Sequence, residues 1–368
     1  MSLASRLPDF PWDRLQPAKD KAAGHPGGLV DLSVGTPVDP APALIQRALT
    51  AAADAHGYPL TAGTPALRDG IAAFLTARFG IVGLTPAAVL PTIGSKELVA
   101  WLPTLLGLGV GDVVAHPELA YPTYDVGARL AGATPVAADD PEALDAAETT
   151  GPVRLLWVNS PANPTGRVLS PGQLRELVDW ARERGVVLAS DECYAEFGWE
   201  AEPVSVLHPD ICAGSHEGLL VVHSMSKRSN LAGYRGAFVA GDAALVAELL
   251  EVRKHAGMIV PAPVQAAMEA GLADPDHVAA QRERYARRRT ALRAALEAAG
   301  FTITHSEAGL YLWSSRGEDC WATVNWLAER GILVAPGDFY GPAGAGHVRV
   351  ALTATDERIA AAVERLQG

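Results

Sequence analysis

Short apolar runs that end in polar residues recur through the middle of the chain. Residues 153–158 are largely apolar, and they lead into a turn rich in Pro, Gly and Asn. Residues 185–190 form a second apolar run that ends at Asp191, and residues 218–223 form a third that leads to Ser224. Short apolar runs bounded by turn residues are typical of buried strands. We therefore predict three buried strands with polar side chains at their carboxyl ends.

The wider pattern alternates between strand-like and helix-like segments. From about residue 40 to about residue 280, this alternation indicates a mostly parallel sheet with helices on both faces. Residues 276–299 form a long helical pattern, and residues 347–352 alternate like a strand around Arg349. Residues 10–28 are rich in Pro, Gly and charged residues, which predicts an arm before the first core strand. Because ligands bind beyond the carboxyl ends of the strands in open α/β sheets, we expect the functional site there.

Composition excludes several classes of partner. A chain of 368 residues can bury a large core, usually in more than one domain. Its net charge of −12 predicts no nucleic-acid partner. The arginines of residues 282–293 accompany apolar residues at helical spacing, so they predict a solvated helix face. No uninterrupted run of about eighteen apolar residues occurs, and we expect no membrane association.

The cysteines and the N-terminus bear on location. Cys193, Cys212 and Cys320 are the three cysteines, and they show no paired spacing. This predicts a reducing, cytoplasmic environment, with neither disulfides nor a metal site. The N-terminus also lacks a charged-then-apolar signal segment, which agrees with that expectation.

The most specific chemistry lies in residues 224–236, which read Ser-Met-Ser-Lys-Arg-Ser-Asn-Leu-Ala-Gly-Tyr-Arg-Gly. The amine of Lys227 could form a Schiff base with a carbonyl, the chemistry on which pyridoxal phosphate enzymes depend. Ser224, Ser226 and Arg235 supply the donors that bind a phosphate dianion. A basic surface loop could show the same pattern, so this motif alone leaves both interpretations open.

Several segments, taken together and in this order, resemble the fold-type I, class I/II aminotransferases. The resemblance implies an α/β three-layer sandwich with a mostly parallel central sheet, as in aspartate aminotransferase, plus a smaller α+β domain. It implies a large cofactor-binding domain at residues 37–280 and a small domain at residues 1–36 and 281–368, which includes the N-terminal arm. The segments that carry the resemblance are residues 31–37, 58–68, 92–98, 117–124, 153–166, 185–194, 224–236, 334–341 and 347–352.

The resemblance assigns roles to residues around the cofactor, pyridoxal 5′-phosphate. Asp191 corresponds to the carboxylate that pairs with the pyridine nitrogen, so that the protonated ring can stabilise a substrate carbanion. Asn163 and Tyr194 correspond to the residues that hydrogen-bond its phenolate oxygen. Lys227 would hold the cofactor and then move a proton between the substrate Cα and the cofactor C4′, which makes Lys227, Asp191 and Tyr194 the expected catalytic residues. Tyr121, otherwise an ordinary core tyrosine, matches the residue that stacks on the pyridine ring.

Two further segments complete the expected phosphate site. Gly94, Ser95 and Lys96 precede a helix-like run, and the N–H groups at a helix start bind anions. Tyr58 belongs to a Gly- and Pro-rich run that, in the family, contributes a tyrosine to the phosphate site of the neighbouring subunit. The resemblance therefore implies a homodimer with shared active sites.

The expected substrates are small amino and keto acids. Arg349 needs a partner, because burying a lone charge in an apolar strand costs several kcal/mol. A salt-bridged or solvent-facing arginine would meet that need. The resemblance implies instead that Arg349 binds the substrate α-carboxylate through two parallel hydrogen bonds. Gly35 and Asn163 match the family positions near that carboxylate.

The choice of substrate depends on a subgroup loop. Residues 226–242 resemble the N-succinyldiaminopimelate aminotransferases of bacterial lysine biosynthesis, and residues 253–265 resemble their actinobacterial branch. The implied reaction exchanges an amino group between glutamate and N-succinyl-2-amino-6-oxopimelate. That long substrate needs a cation for its distal carboxylate. The candidates are Arg14, His25, Arg228 and Arg316.

Three alternatives stay open at this point. The first is another class I/II aminotransferase, specific for aspartate, an aromatic amino acid or LL-diaminopimelate. The second is a lyase that breaks a carbon–sulfur bond, or a decarboxylase, with the same cofactor, because one fold can host several reactions. The third is a cofactor-binding regulator, which would need a DNA-binding module for which the chain has neither the length nor the basic charge.

Overall fold

The structure, a computed structural model, describes residues 3–368. Its strands are β1 Val30–Asp31, β2 Val89–Thr92, β3 Val113–His116, β4 Thr134–Ala137, β5 Val153–Asn159, β6 Val187–Asp191, β7 Leu219–Ser224, β8 Ala237–Gly241, β9 Thr302–Thr304, β10 Tyr311–Ser315, β11 Ile332–Leu333, β12 Ala335–Pro336 and β13 Val348–Ala351. Its α-helices are α1 Gln16–Ala23, α2 Ala43–Ala51, α3 Pro65–Phe79, α4 Ser95–Leu105, α5 Thr123–Ala131, α6 Pro141–Ala147, α7 Pro171–Arg184, α8 Pro209–Cys212, α9 Met225–Arg228, α10 Ala243–Ala256, α11 Ala262–Ala273, α12 Asp276–Ala298, α13 Cys320–Glu329 and α14 Asp356–Gln367.

Seven strands form the central sheet, in the order β2-β8-β7-β6-β5-β3-β4. All neighbouring pairs are parallel except the two that involve β8, which is antiparallel to β2 and to β7. The three strands predicted from the apolar runs are β5, β6 and β7, which are adjacent in the sheet. Their carboxyl ends therefore meet at one edge.

Both faces of the central sheet are covered, as expected for parallel strands. Along β5, Leu156 and Val158 pack into one hydrophobic core, and Leu155 and Trp157 pack into the core on the opposite face. This alternation follows from the two-residue period of a strand. Continuous apolar runs are therefore what the sequence needs at these positions.

Local signals set the ends of the connecting helices. At the start of α7, Ser170 and Gln173 form a reciprocal capping box. At its end, Gly185 takes a left-handed conformation with φ of 63°, which glycine adopts without a side-chain clash. The chain can therefore turn directly into β6, which delivers Asp191 to the edge.

A third core surrounds a four-stranded antiparallel sheet in the order β12-β13-β10-β9. Residues of α12, α13 and α14 contribute to it, and β1 pairs with β11 beside it. The predicted boundary between residues 280 and 281 falls within α12, the long helix expected at 276–299. The division into two domains stays a prediction. Residues 1 and 2 of the predicted small domain lie outside the part of the chain that the structure describes.

The N-terminal segment is more regular than the arm that its composition predicts. Residues 11–15 form a 3-10 helix that continues into α1. Leu15, Ala18 and Ala22 recur at helical spacing, and all three are buried in the third core. Packing of this short apolar stripe stabilises a helix that local propensity alone would not predict. Across residues 3–368, helices that combine the length and the apolar character of a membrane span are absent.

Candidate active site

A cavity of about 680 Å³ lies at the carboxyl ends of β5, β6 and β7. Every residue that the resemblance assigned to the cofactor or to the substrate α-carboxylate, except Gly94 and Tyr58, lines it. Its lining residues are Phe10, Trp12, Val34, Gly35, Thr36, Ser95, Lys96, Tyr121, Tyr124, Asn159, Asn163, Asp191, Cys193, Tyr194, Ser224, Ser226, Lys227, Ala232, Gly233, Arg235, Tyr311 and Arg349.

Lys227 reaches the cavity from α9, a single turn that begins directly after β7. Ser224 caps this turn, because its Oγ accepts a hydrogen bond from the Ser226 N–H at 3.1 Å. The two serine hydroxyls are themselves 2.9 Å apart. The Lys227 Nζ donates to the Gly35 carbonyl. Burial lowers the pKa of the Lys227 amine, so the neutral, nucleophilic form is more accessible than for an exposed lysine.

Asp191 presents a buried carboxylate at the end of β6. Its Oδ2 accepts from the Tyr124 hydroxyl at 2.9 Å, and its Oδ1 accepts from the Cys193 N–H at 3.1 Å. Burial raises the pKa of the Asp191 carboxyl despite these donors. Among residues 3–368 it forms no ion pair with Lys or Arg. A cationic group bound beside it would therefore favour its ionised form.

Arg349 is buried on β13, and its partners are neutral. Its two terminal nitrogens donate to the Asn163 Oδ1 at 2.9 Å and to the Ser33 carbonyl at 2.6 Å. The guanidinium carbon lies 4.0 Å from the centre of the Tyr311 ring. Its Nε is buried without a hydrogen-bond partner, and no carboxylate within the described chain forms an ion pair with it. The salt-bridged arginine considered from the sequence is therefore not what this structure shows.

Tyr311, on β10, is a central residue of the cavity that sequence reasoning missed. Its hydroxyl lies 2.8 Å from the hydroxyl of Tyr194. A Cβ at Gly35 would lie 2.1 Å from the same hydroxyl, so the absence of a side chain at Gly35 allows this close approach. Burial, reinforced by Tyr311, raises the pKa of the Tyr194 hydroxyl well above its usual range. In the sequence, Tyr311 looks like any aromatic residue of an alternating strand.

Gly94 and Arg235 approach each other at the start of α4. A Cβ on Gly94, whose φ is 79°, would lie 2.2 Å from an Arg235 terminal nitrogen. Arg235 has a left-handed φ of 59°, and it donates to the Ala232 carbonyl at 2.8 Å. The first N–H groups of α4, from Ser95 onward, have no partner within the helix. Arg235, Ser224, Ser226 and these N–H groups together form a donor set suited to an anion.

Residues 28–366 match the family model for aminotransferase class I and II. The chain belongs to the class I and II aminotransferases. It is 65% identical over 364 residues to a probable aminotransferase of Mycobacterium tuberculosis, covering 99% of this chain and 86% of that protein. It is 60% identical over 360 residues to the 4-dedimethylamino-4-oxo-anhydrotetracycline transaminase of Streptomyces rimosus, covering 98% of this chain and 99% of that protein.

The fold of this aminotransferase is shared with solved structures. A probable N-succinyldiaminopimelate aminotransferase from Thermus thermophilus superposes with a TM-score of 0.86 at 31% identity, over 97% of this chain and 99% of that one. The predicted aspartate aminotransferase-like fold of type I is confirmed. Class I and II aminotransferases depend on pyridoxal 5′-phosphate, which confirms the predicted cofactor.

The residues of this aminotransferase fit that cofactor. Lys227 provides an amine of lowered pKa, which suits a covalent link to an aldehyde. Asp191 provides a buried carboxylate that lacks a Lys or Arg partner in the described chain, which suits a protonated ring nitrogen. The donor set at Ser224, Ser226 and Arg235 suits the phosphate. The charges and hydrogen-bonding groups of the cavity therefore match those of the cofactor's aldehyde, ring nitrogen and phosphate.

The mouth of the aminotransferase cavity is aromatic. Phe10 and Trp12, from the N-terminal segment, line it together with Tyr121. The Lys96 Nζ lies 5.9 Å from the Phe10 ring centre and 5.7 Å from the Tyr121 ring centre. Among residues 3–368, Lys96 forms no ion pair. An exposed cation close to two rings, without an ion pair in the described chain, is available to an incoming anion.

Other residues expected at the site lie outside the cavity lining. Tyr58 is fully exposed, and its expected role in a neighbouring subunit stays a prediction. None of the four candidate distal cations lines the cavity. Arg14 pairs with Asp338, Arg228 pairs with Glu196, Arg316 pairs with Glu318, and His25 accepts from the Gly27 N–H.

Proposed function

We propose that this aminotransferase transfers an amino group between glutamate and N-succinyl-2-amino-6-oxopimelate, as a step of diaminopimelate and lysine biosynthesis. One observation carries the proposal that the cavity binds an α-amino acid. Arg349 is buried at the cavity with only neutral partners, and Lys227 and Asp191 line the same space. A buried guanidinium without a carboxylate is the group that a substrate α-carboxylate would complete.

At the cofactor, we propose that Lys227 forms the covalent link and that Asp191 pairs with the ring nitrogen. Asn163 and Tyr194 would donate to the phenolate oxygen, and Tyr121 would stack on the ring. The phosphate would bind Ser224, Ser226, Arg235 and the start of α4 at Gly94, Ser95 and Lys96. When bound, the cofactor supplies the electron sink for the reaction.

The same residues would handle the proton. After the substrate amine replaces it, the Lys227 amine would be free to accept the proton from the substrate Cα and to donate it at the cofactor C4′. Burial lowers the pKa of this amine, so its unprotonated form is more accessible than that of an exposed lysine. Arg349 would hold the α-carboxylate beside Asn163, and Gly35 leaves room for it. The hydroxyls of Tyr194 and Tyr311 lie 2.8 Å apart in the same cavity.

Lys96 and the aromatic mouth support a long substrate that carries carboxylates beyond its reacting end. We propose that the backbone at Lys96 contributes to the phosphate site and that its Nζ binds the distal carboxylate, in place of the four cations considered from the sequence. Phe10 and Trp12 would contact the apolar stretch between the two ends of the substrate. The likeness to the Thermus thermophilus protein and the subgroup loop at residues 226–242 also favour this substrate class.

The working unit would be a homodimer, in which Tyr58 reaches the phosphate site of the partner. Its full exposure in the single chain agrees with such a role. A cytoplasmic location is supported by Cys193, Cys212 and Cys320, which are all free thiols.

A second acceptor class is favoured by one specific observation. The Streptomyces rimosus relative, 60% identical, acts on a polycyclic ketone. The aromatic mouth at Phe10, Trp12 and Tyr121 would also suit a large ring system, which could stack on these side chains. A ring ketone is therefore the second candidate substrate.

A spectral titration of the purified protein separates these possibilities. Absorbance is scanned as glutamate, then N-succinyldiaminopimelate, is added to the protein with its cofactor. Conversion to the amine form of the cofactor by both compounds, each reversed by its own keto acid, is the expected result. A response to glutamate alone would retain the enzyme class and reject the proposed acceptor. Polycyclic ketones would then be supplied to the glutamate-treated protein.

A further inference from the structure

Close to Lys227, three side chains are linked in series by hydrogen bonds. The His277 Nδ1 lies 2.9 Å from the Asp274 Oδ2, and the His277 Nε2 lies 2.8 Å from the Ser229 Oγ. Ser229 directly follows α9, two residues after Lys227, and Asp274 and His277 lie at the junction of α11 and α12. This Ser229–His277–Asp274 relay therefore joins the start of α12 to the helical turn that carries the lysine.

The direction of the hydrogen bonds follows from the chemistry of the three groups. Although burial opposes it, hydrogen bonds from His277 and from the Asp276 N–H hold the pKa of the Asp274 carboxyl below its usual range. An ionised carboxylate only accepts, so the His277 Nδ1 carries a proton. Burial lowers the pKa of His277 below its ordinary value near 6.5, so the ring is neutral at pH 7. Its Nε2 must then accept from the Ser229 hydroxyl.

The relay is not arranged for nucleophilic attack. Ser229 is 1% exposed and does not line the cavity, so no substrate reaches its hydroxyl. The Ser229 Oγ instead accepts from Arg228 at 3.4 Å. Arg228 in turn donates to the Gly271 carbonyl at 2.8 Å and pairs with Glu196. The relay thus holds the buried residue that directly follows Lys227.

Protonation of His277 would disrupt this arrangement. The charged groups that face the ring are Asp274 from its own junction, Arg228 from α9 and Glu196 from the turn after β6. With a proton on Nε2, His277 becomes a donor, and the hydroxyl proton of Ser229 loses its acceptor. A second cation would also lie close to Arg228. Both changes weaken the attachment of α9, because a buried donor without an acceptor is costly.

We propose that Ser229, His277 and Asp274 are positioning residues for Lys227, and that the neutral form of His277 is the one that holds α9 in place. This inference rests on the proposed role of Lys227 as the cofactor-binding lysine. It does not depend on which keto acid the enzyme uses.

Two substitutions of His277 separate its hydrogen bonds from its charge. In His277→Gln, the side-chain oxygen can take the place of Nε2 and accept from Ser229, and the residue cannot titrate. In His277→Asn, the shorter amide can still donate to Asp274 but cannot reach Ser229. His255→Gln, at the exposed end of α10, serves as the matched control. Circular dichroism and thermal melting of each variant report whether it is folded.

The measured quantity is the affinity of each variant for pyridoxal phosphate, with the absorbance of the lysine-bound cofactor as the signal. It is measured at about pH 5.5 and at about pH 8, on either side of the ordinary histidine pKa. Ionisation of Lys227 and of the phosphate affects all variants alike, so the difference between wild type and His277→Gln isolates His277. We expect wild type and His255→Gln to lose about fivefold more affinity at the acid pH than His277→Gln, the effect of one hydrogen bond. At about pH 8, we expect His277→Asn to bind about fivefold more weakly than His277→Gln.

The inference is overturned if wild type and His277→Gln show the same pH dependence, or if His277→Asn binds as tightly as His277→Gln. If His277→Asn does not fold, Ser229→Ala replaces it. Without the hydroxyl, this variant should bind as weakly at about pH 8 as expected of His277→Asn, and its affinity should vary with pH as little as that of His277→Gln. Lys227→Ala distinguishes the two proposals. If the absorbance of the lysine-bound cofactor survives in Lys227→Ala, the role of Lys227 is refuted. If that absorbance is lost in Lys227→Ala but the His277 variants match wild type, only the relay is refuted.

Discussion

Among residues 3–368, Arg349 supplies the only buried guanidinium that lines the cavity, and replacement by alanine removes it. Arg349 donates at 2.9 Å to Asn163 and at 2.6 Å to Ser33, and an incoming α-carboxylate would add a charge-paired contact at the same group. Truncation of one partner of such a contact costs about 2–5 kcal/mol. We therefore expect kcat/KM to fall by about 30-fold to about 5000-fold for every α-amino acid donor. The neutral acceptors at Asn163 and Ser33 would also lose their donor, so the free energy of unfolding should fall by about 1–3 kcal/mol.

The assay compares glutamate with a primary amine that has no α-carboxylate, at a temperature where the variant is folded. Arg349→Lys is the matched control, because it keeps the charge but lacks the planar fork, and it should show an intermediate loss with glutamate. The amine should react equally slowly with wild type and both variants. An equal loss for the amine would refute the reasoning. A loss confined to one amino acid donor would place Arg349 at the distal end of the substrate instead.

Three further predictions concern single residues of the cavity. Lys227→Ala should abolish the absorbance of the lysine-bound cofactor and nearly all turnover, and persistence of both would contradict the assignment. Lys96→Gln should raise KM for N-succinyldiaminopimelate by about tenfold, as for the loss of one charged hydrogen bond. KM for an amino donor with a neutral side chain should change little. An equal change in both KM values would show that Lys96 does not bind the distal carboxylate. Gly35→Ala places a Cβ 2.1 Å from the Tyr311 hydroxyl. The free energy of unfolding, measured by urea denaturation, should therefore fall by about 1–3 kcal/mol. An unchanged urea midpoint would show that Tyr311 can move away from the added methyl group.

The polar residues at the carboxyl ends of the central strands were the part of the site that the sequence predicted best. Apolar runs predicted β5, β6 and β7, and the residues that end β6 and β7 or follow β5 line the cavity. Parallel neighbouring strands bring their carboxyl ends to one edge whatever the rest of the chain does. Asp191, Asn163 and Ser224 could therefore be grouped without knowledge of the tertiary structure. Assignment of chemistry to them needed the likeness of the whole ordered set of segments to a known family.

The residues that sequence reasoning missed meet across long stretches of chain. Tyr311 contacts Tyr194 and Gly35 from a different sheet. Its strand has the same alternation whether the tyrosine faces a core or a cavity, so periodicity carries no signal about it. Tyr124, which donates to Asp191, lies on a helix face that looks like ordinary core. For both residues, the partner is decided by how distant elements pack.

The amino-acid sequence alone determined the class of fold, the three central strands that end in polar residues and the motif that contains Lys227. These features depend on local periodicity and on short ordered segments. Tertiary structure decided that Arg349 is buried with only neutral partners, that Lys96 rather than Arg14 lines the cavity, and that the N-terminal segment brings Phe10 and Trp12 to its mouth. These features arise from contacts between residues that are hundreds of positions apart in the chain. Whether such contacts form depends on the packing of the whole molecule, which no local pattern specifies.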